Sequence, residues 1–131
     1  MGPPRPSPDG TPWWQAWLPA GLWAVVIWTA SSLVITPGMY PPVYAGDTIF
    51  HGGEFFVYGY LWQRGASLRR WPSGWHGWGL VMAVVVATAL TDEWHQAFVP
   101  SRHPDLMDAL ADAGGGALGV LGFLVDRRLG H

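Results

Sequence analysis

The chain has 131 residues, 50% of them hydrophobic and 12% charged, with a net charge of −2. That length suits one domain of about four helices, and charge at about half the usual globular share leaves no basic field for nucleic acid. The absence of cysteine excludes disulfides, a thiolate metal site and a thiol nucleophile.

Residues 1–12, MGPPRPSPDGTP, are rich in Pro and Gly and nearly devoid of apolar side chains; they are expected to form a disordered leader. From Trp14 to Ile35 the chain is apolar and uncharged. That run is long enough for a membrane helix, and too long and Trp-rich for a signal-peptide core. Pro37, Pro41 and Pro42 then break it. A second helix is predicted over 47–63, apolar apart from His51 and Glu54 at its start, with QRGASLRRWPSG as a polar turn after it. A third is predicted over 75–94, where Val81 to Leu90 carries no charge. Pro100 and Pro104 separate it from a Gly-rich fourth helix predicted over 105–126. The Trp residues read as interface anchors.

The fold class is therefore all-α: a four-helix transmembrane bundle spanning about residues 13–128. A soluble bundle would need a polar face on every helix, and the first segment and the Val81–Leu90 run have none. Arg5, Arg64, Arg69, Arg70, Arg127 and Arg128 fall in the leader, the second connection and the tail, whereas the other two connections hold only Arg102. This bias predicts cytoplasmic N- and C-termini, in a multi-pass protein of a cell membrane whose direct partner is the lipid bilayer.

With that orientation, the polar residues meet near the outer face. Asp47, His51 and Glu54 follow i, i+4, i+7 on one face of the second helix, continued by Tyr58. Asp92, Glu93 and Gln96 lie at the end of the third. Asp105, Asp108 and Asp112 follow i, i+3, i+7 on the fourth. Isolated carboxylates facing lipid would cost several kcal/mol each. Converging around Arg102, His51 and water, they become tolerable. Gly114, Gly115, Gly116, Gly119 and Gly122 supply a small-residue stripe for close packing. The third connection is expected to fold back over the site, with Phe98 as an apolar plug.

Blander readings compete. Asp92 and Glu93 can be a helix end meeting water, although the helix dipole disfavours acids there. His51 and Glu54 can be a structural pair. Arg102 can be an interface anchor or can pair with Glu93 or Asp92. Asp105, beside Pro104, suits a helix N-cap. His76, His95 and His103 read as surface residues.

The chain resembles the VanZ-like family of small bacterial membrane proteins, from about Asp47 to Gly122. Asp47, His51, Glu54 and Phe55 fit its first signature. Asp92, Glu93, Gln96, Phe98, Pro100 and Arg102 fit the second, and Asp108 with Gly115 and Gly119 the third. Thr48, Asp105 and Asp112 depart from the pattern, standing where Lys, Ser or Thr, and Asn are usual. The extra acids favour a bound cation or protonated acids over an anionic ligand. The resemblance implies a four-helix protein of the bacterial cell membrane, and the family's named member is linked to resistance to the glycopeptide teicoplanin.

Two kinds of function fit. One is a non-enzymatic envelope factor whose outward pocket of Asp47, His51, Glu54, Asp92, Glu93, Gln96, Arg102, Asp108 and Asp112 binds a lipid-linked envelope precursor or a glycopeptide. The other is a metal-assisted intramembrane enzyme acting on a lipid-linked phosphate or peptide. There, His51, Glu54, Glu93 and Asp108 would hold Mg²⁺ or Mn²⁺, and Glu93, His51 or Asp92 would act as catalytic groups. An ion pathway fits poorly, because polar residues are sparse in the inner halves of the helices.

Overall fold

The computed structural model describes residues 10–34 and 44–130, with side chains from Thr48 onward in the second helix. Among the described residues all regular structure is helical: α1 (Trp13–Ser32), α2 (Tyr44–Leu68), α3 (Gly74–Gln96) and α4 (Leu106–Leu129). The expected leader lies mostly outside the described residues, as does the proline-rich break before α2. Thr11 is tied down, its carbonyl accepting from Arg69 Nη1 at 3.1 Å.

Two boundaries differ from the sequence reading in an informative way. The first half of the segment expected to be a polar turn, residues 64–68, is instead the last turn and a half of α2, which runs to Leu68, and residues 69–73 form the turn. Gly65 does not break the helix. A Cβ there would lie 2.6 Å from the Ala16 carbonyl oxygen, so this glycine is where α1 and α2 touch. At the other end of the first segment, α1 stops at Ser32 rather than Ile35. Leu33 has extended backbone, its N–H donating to the Ala30 carbonyl at 3.2 Å.

The helices pair through stripes of small residues. α2 and α4 come into backbone contact: a Cβ on Gly59 would sit 2.2 Å from the Gly116 carbonyl oxygen, one on Gly115 2.1 Å from that of Gly52, and one on Gly119 1.9 Å from that of Phe56. The predicted glycine stripe is thus real at Gly115, Gly116 and Gly119. Gly114 is a correction, since nothing lies within 4 Å of its Cβ position. It sits on the opposite side of the helix from the seam. The apolar core, Ile27, Phe55, Tyr58, Ala66, Val81, Val85, Ala89 and Val120, lies between the four helices.

Tryptophan divides into two populations. Trp13, Trp14, Trp28, Trp75, Trp78 and Trp94 are exposed, as interface anchors would be. Trp17, Trp62 and Trp71 instead form a ring cluster with centroids 5.0, 5.1 and 6.1 Å apart, packed against the core with Trp23. They close the end of the bundle that holds the α2–α3 turn.

α3 and α4, of 23 and 24 residues, are long and apolar enough to cross a membrane. α1 does not reach the same measure, because Trp, Pro and Gly dilute its aliphatic content. The distribution of polarity is inverted relative to a soluble bundle. Leu18, Leu22, Val25, Leu90, Leu110, Leu118 and Leu121 face outward, while His51, Asp92, Glu93, Gln96, Asp108 and Asp112 are buried.

Candidate functional site

Each helix buries one stripe, and that stripe changes character along its length. On α3 it runs Gly77, Val81, Val85, Ala89 and then Asp92, Glu93 and Gln96. On α4 it runs in the opposite sense, from Asp108 and Asp112 to Gly115, Gly116, Gly119 and Val120. α1 ends its stripe on Ser31, and the side chains described on α2 begin theirs with His51. Alternating helix direction brings the end of α1, the start of α2, the end of α3 and the start of α4 together. The polar ends therefore meet in one chamber.

Two carboxylates organise it. Asp92 accepts from the Ser31 hydroxyl on one oxygen and from Gln96 Nε2 on the other, the latter at 3.0 Å. Asp112 is fully buried, and its Oδ1 lies 3.0 Å from His51 Nδ1. The first arrangement locks α1 to α3; the second locks α2 to α4. Glu93 Oε2 accepts the Asp105 backbone N–H at 2.9 Å, which fixes the turn entering α4. Its other oxygen, Oε1, is buried without a hydrogen-bond partner, as is Asp112 Oδ2. One nitrogen or oxygen from each of His51, Asp92, Glu93 and Asp112 lies within 4.8 Å of the others.

The remaining expected residues fall around this centre. Asp108 is buried one turn before Asp112. Glu54, half-buried, lines a small cavity of about 50 Å³ with Ser31, Phe50, His51, Gln96 and Arg102. Asp47 lies in the first turn of α2 by position, and its side chain is outside the described residues. Asp105 is the N-cap of α4, accepting from Met107 N at 2.9 Å, so the blander reading holds for it. A cavity of that volume holds a water or an ion. Drug-sized sites run to several hundred Å³.

Two expectations about the third connection are corrected. Phe98 is not a plug: it is 71% exposed and rests edge-on against Trp94, with ring centroids 5.3 Å apart. Arg102 forms no ion pair with Asp92 or Glu93 among the described residues. It donates through Nε to the Leu33 carbonyl at 3.3 Å and through Nη2 to the Ala30 carbonyl at 3.2 Å. Both carbonyls lie at the negative end of a helix, which a cation suits; that of Ala30 also accepts from the Leu33 N–H. The connection does fold back, but it clasps α1.

Ser31 was missed by sequence reasoning. Its signal is positional: it stands four residues after Ile27 on the buried stripe of α1, where an apolar residue would be expected. His95 is also more than a surface residue. It stacks on Trp28, with centroids 3.9 Å apart, and its Nε2 lies 2.9 Å from Ser32 Oγ.

A family model described as VanZ/LLP1 matches residues 12–127. The chain belongs to the VanZ-like family. The match begins at the threshold of α1, well before the Asp47–Gly122 span that carried the resemblance, and takes in all four helices of this VanZ-like protein. The first helix is thus part of the family unit, in keeping with Ser31 completing the chamber. No curated protein and no solved structure matches the chain.

Proposed function

We propose that all four helices of this VanZ-like protein cross the bacterial cell membrane with both termini in the cytoplasm, and that the chamber opens toward the outer leaflet and binds a lipid-linked component of the cell envelope. The observation that carries this reading is the inverted polarity, with acids and a histidine inside the bundle and aliphatic side chains outside. Bilayer surroundings reward that arrangement and water does not. Arg64, Arg69, Arg70, Arg127 and Arg128 lie at the end of the bundle remote from the chamber, which supports the orientation.

The ligand class follows from two volumes. The chamber cavity, about 50 Å³, admits a small polar group and not a glycopeptide. A larger groove of about 350 Å³ runs between α1 and α3, lined by Ile27, Trp28, Val84, Ala87 and Thr88, and ends on Asp92. An acyl or prenyl chain fits such an apolar groove while its head reaches Asp92, Gln96 and Arg102. Any change in teicoplanin susceptibility would then arise through the precursor, not through entry of the drug.

The test measures binding of a prenyl-phosphate-linked envelope precursor to the purified protein in nanodiscs. A parallel test expresses the chain in glycopeptide-susceptible hosts. The expected result is saturable binding, with binding and any teicoplanin phenotype lost in Glu93→Gln and Arg102→Ala while the chain remains inserted. Absence of binding together with unchanged susceptibility in every host overturns the proposal. Turnover of a lipid-linked phosphate or peptide would replace it with metal-assisted catalysis.

A further inference from the structure

We infer that His51, Asp92, Glu93 and Asp112 form a binding site for one divalent cation that accepts both imidazole nitrogen and carboxylate oxygen, Mn²⁺ or Zn²⁺ in preference to Mg²⁺ or Ca²⁺. The inference deepens the envelope-ligand reading and rests on its treatment of the chamber as a ligand site. It differs from the set expected from the sequence, in which Glu54 and Asp108 stood where Asp92 and Asp112 now stand.

Three observations carry it. The first is spacing: the four donor atoms lie within 4.8 Å of one another, and ligands on opposite sides of a divalent ion at ordinary bond lengths are about 4–5 Å apart. The second is the pair of orphaned oxygens. Glu93 Oε1 and Asp112 Oδ2 are buried with no hydrogen-bond partner, on residues 8% and 0% exposed. Buried acceptors are almost always satisfied, and two on neighbouring carboxylates are what a cation between them would satisfy.

The third observation is charge. Asp92 is held by the neutral donors Ser31 and Gln96, and Glu93 by a backbone N–H. Arg102 spends its guanidinium on the carbonyls of α1. Among the described residues the ion pair at this cluster is that of His51 with Asp112. Among the described residues one imidazole is thus the cationic partner in contact with these three carboxylates, and burial of uncompensated charge is expensive. A dication removes the excess. The donor set selects the ion: one imidazole among carboxylates suits Mn²⁺ or Zn²⁺, whereas Mg²⁺ and Ca²⁺ prefer oxygen alone.

The test strips the full-length protein of metal in detergent, confirms its helicity, and titrates it with Mn²⁺ alone. Free Mn²⁺ is followed by its electron paramagnetic resonance signal, and Zn²⁺ is used as competitor. The expected result is one saturable site per chain, weakened by about 10–100-fold in His51→Ala and Asp112→Asn and unchanged in Asp126→Asn, which lies at the other end of α4. Absence of saturable binding by the helical protein overturns the inference, as does binding that Asp112→Asn and Glu93→Gln leave unchanged. Precursor binding measured with Mn²⁺ and with a chelator separates the two readings. Binding equal in both conditions overturns the metal site and leaves the envelope ligand standing. Metal binding without precursor binding does the reverse.

Discussion

Gly59 and Gly116 face each other across the α2–α4 seam so closely that a Cβ on the first would lie 2.2 Å from the carbonyl oxygen of the second. The obstacle is backbone, so it cannot rotate away. Gly59→Ala is expected to lower stability by about 1–3 kcal/mol, the usual range for overpacking. Gly114→Ala, with nothing within 4 Å, is expected to be neutral or to gain up to about 1 kcal/mol from helix propensity. Thermal unfolding in one detergent compares the two. Equal effects would mean the seam is looser than described.

Ser31 and Gln96 serve the two oxygens of one buried carboxylate, Asp92. Ser31→Ala and Gln96→Leu are each expected to cost about 1 kcal/mol. The double variant should lose more than the sum, by about 0.5–3 kcal/mol, because it leaves Asp92 without a donor. A denaturation cycle over the four proteins reads the coupling. Simple additivity would show that Asp92 has another donor.

Tyr58 offers a contrast. Thr88 Oγ1 donates to the Val84 carbonyl at 2.9 Å, which uses its hydrogen. In the 3.0 Å contact between Tyr58 Oη and Thr88 Oγ1, the phenol is therefore the donor. Tyr58→Phe leaves Thr88 with its donor still satisfied, so the expected loss is below about 1 kcal/mol. A larger drop in the same unfolding measurement would point to a further role for the phenol.

Arg102 caps α1 from a distant connection. Arg102→Ala should remove one donor from each of the Ala30 and Leu33 carbonyls and loosen the last turn of α1, at a cost of about 1–2 kcal/mol, the lower part of the charged hydrogen-bond range because the group is half-exposed. Hydrogen exchange at the Leu33 amide, which donates to Ala30, should quicken. Arg102→Lys keeps the charge without the fork, and should recover part of the protection. Unaltered exchange in Arg102→Ala would show that the clasp does not hold α1.

Helix count and the gathering of His51, Asp92, Glu93, Asp108 and Asp112 were legible from spacing, because a helical period and alternating direction fix which ends share a level. Partner choice was not. Arg102 next to a run of acids reads as their counterion, yet the carbonyls ending α1 compete for the same guanidinium, and no pattern in the chain announces them. Gly65 falls in the stretch read as a polar turn, and its place in α2 is evident only once its neighbour Ala16 is known. Ser31 looks like an incidental polar residue in an apolar run until α3 is placed beside it. These misses share a cause: each depends on a contact between helices, and periodicity within one helix says nothing about what stands opposite.

The backbone seam makes α2 and α4 behave as the fixed jaw of a caliper. His51 and Asp112 ride together on that jaw. Asp92 sits on α3, tied to α1 by the Ser31 hydroxyl, and α1 and α3 border an open groove that ends on it. A substitution along that groove therefore bears on Asp92 before it bears on the His51–Asp112 contact.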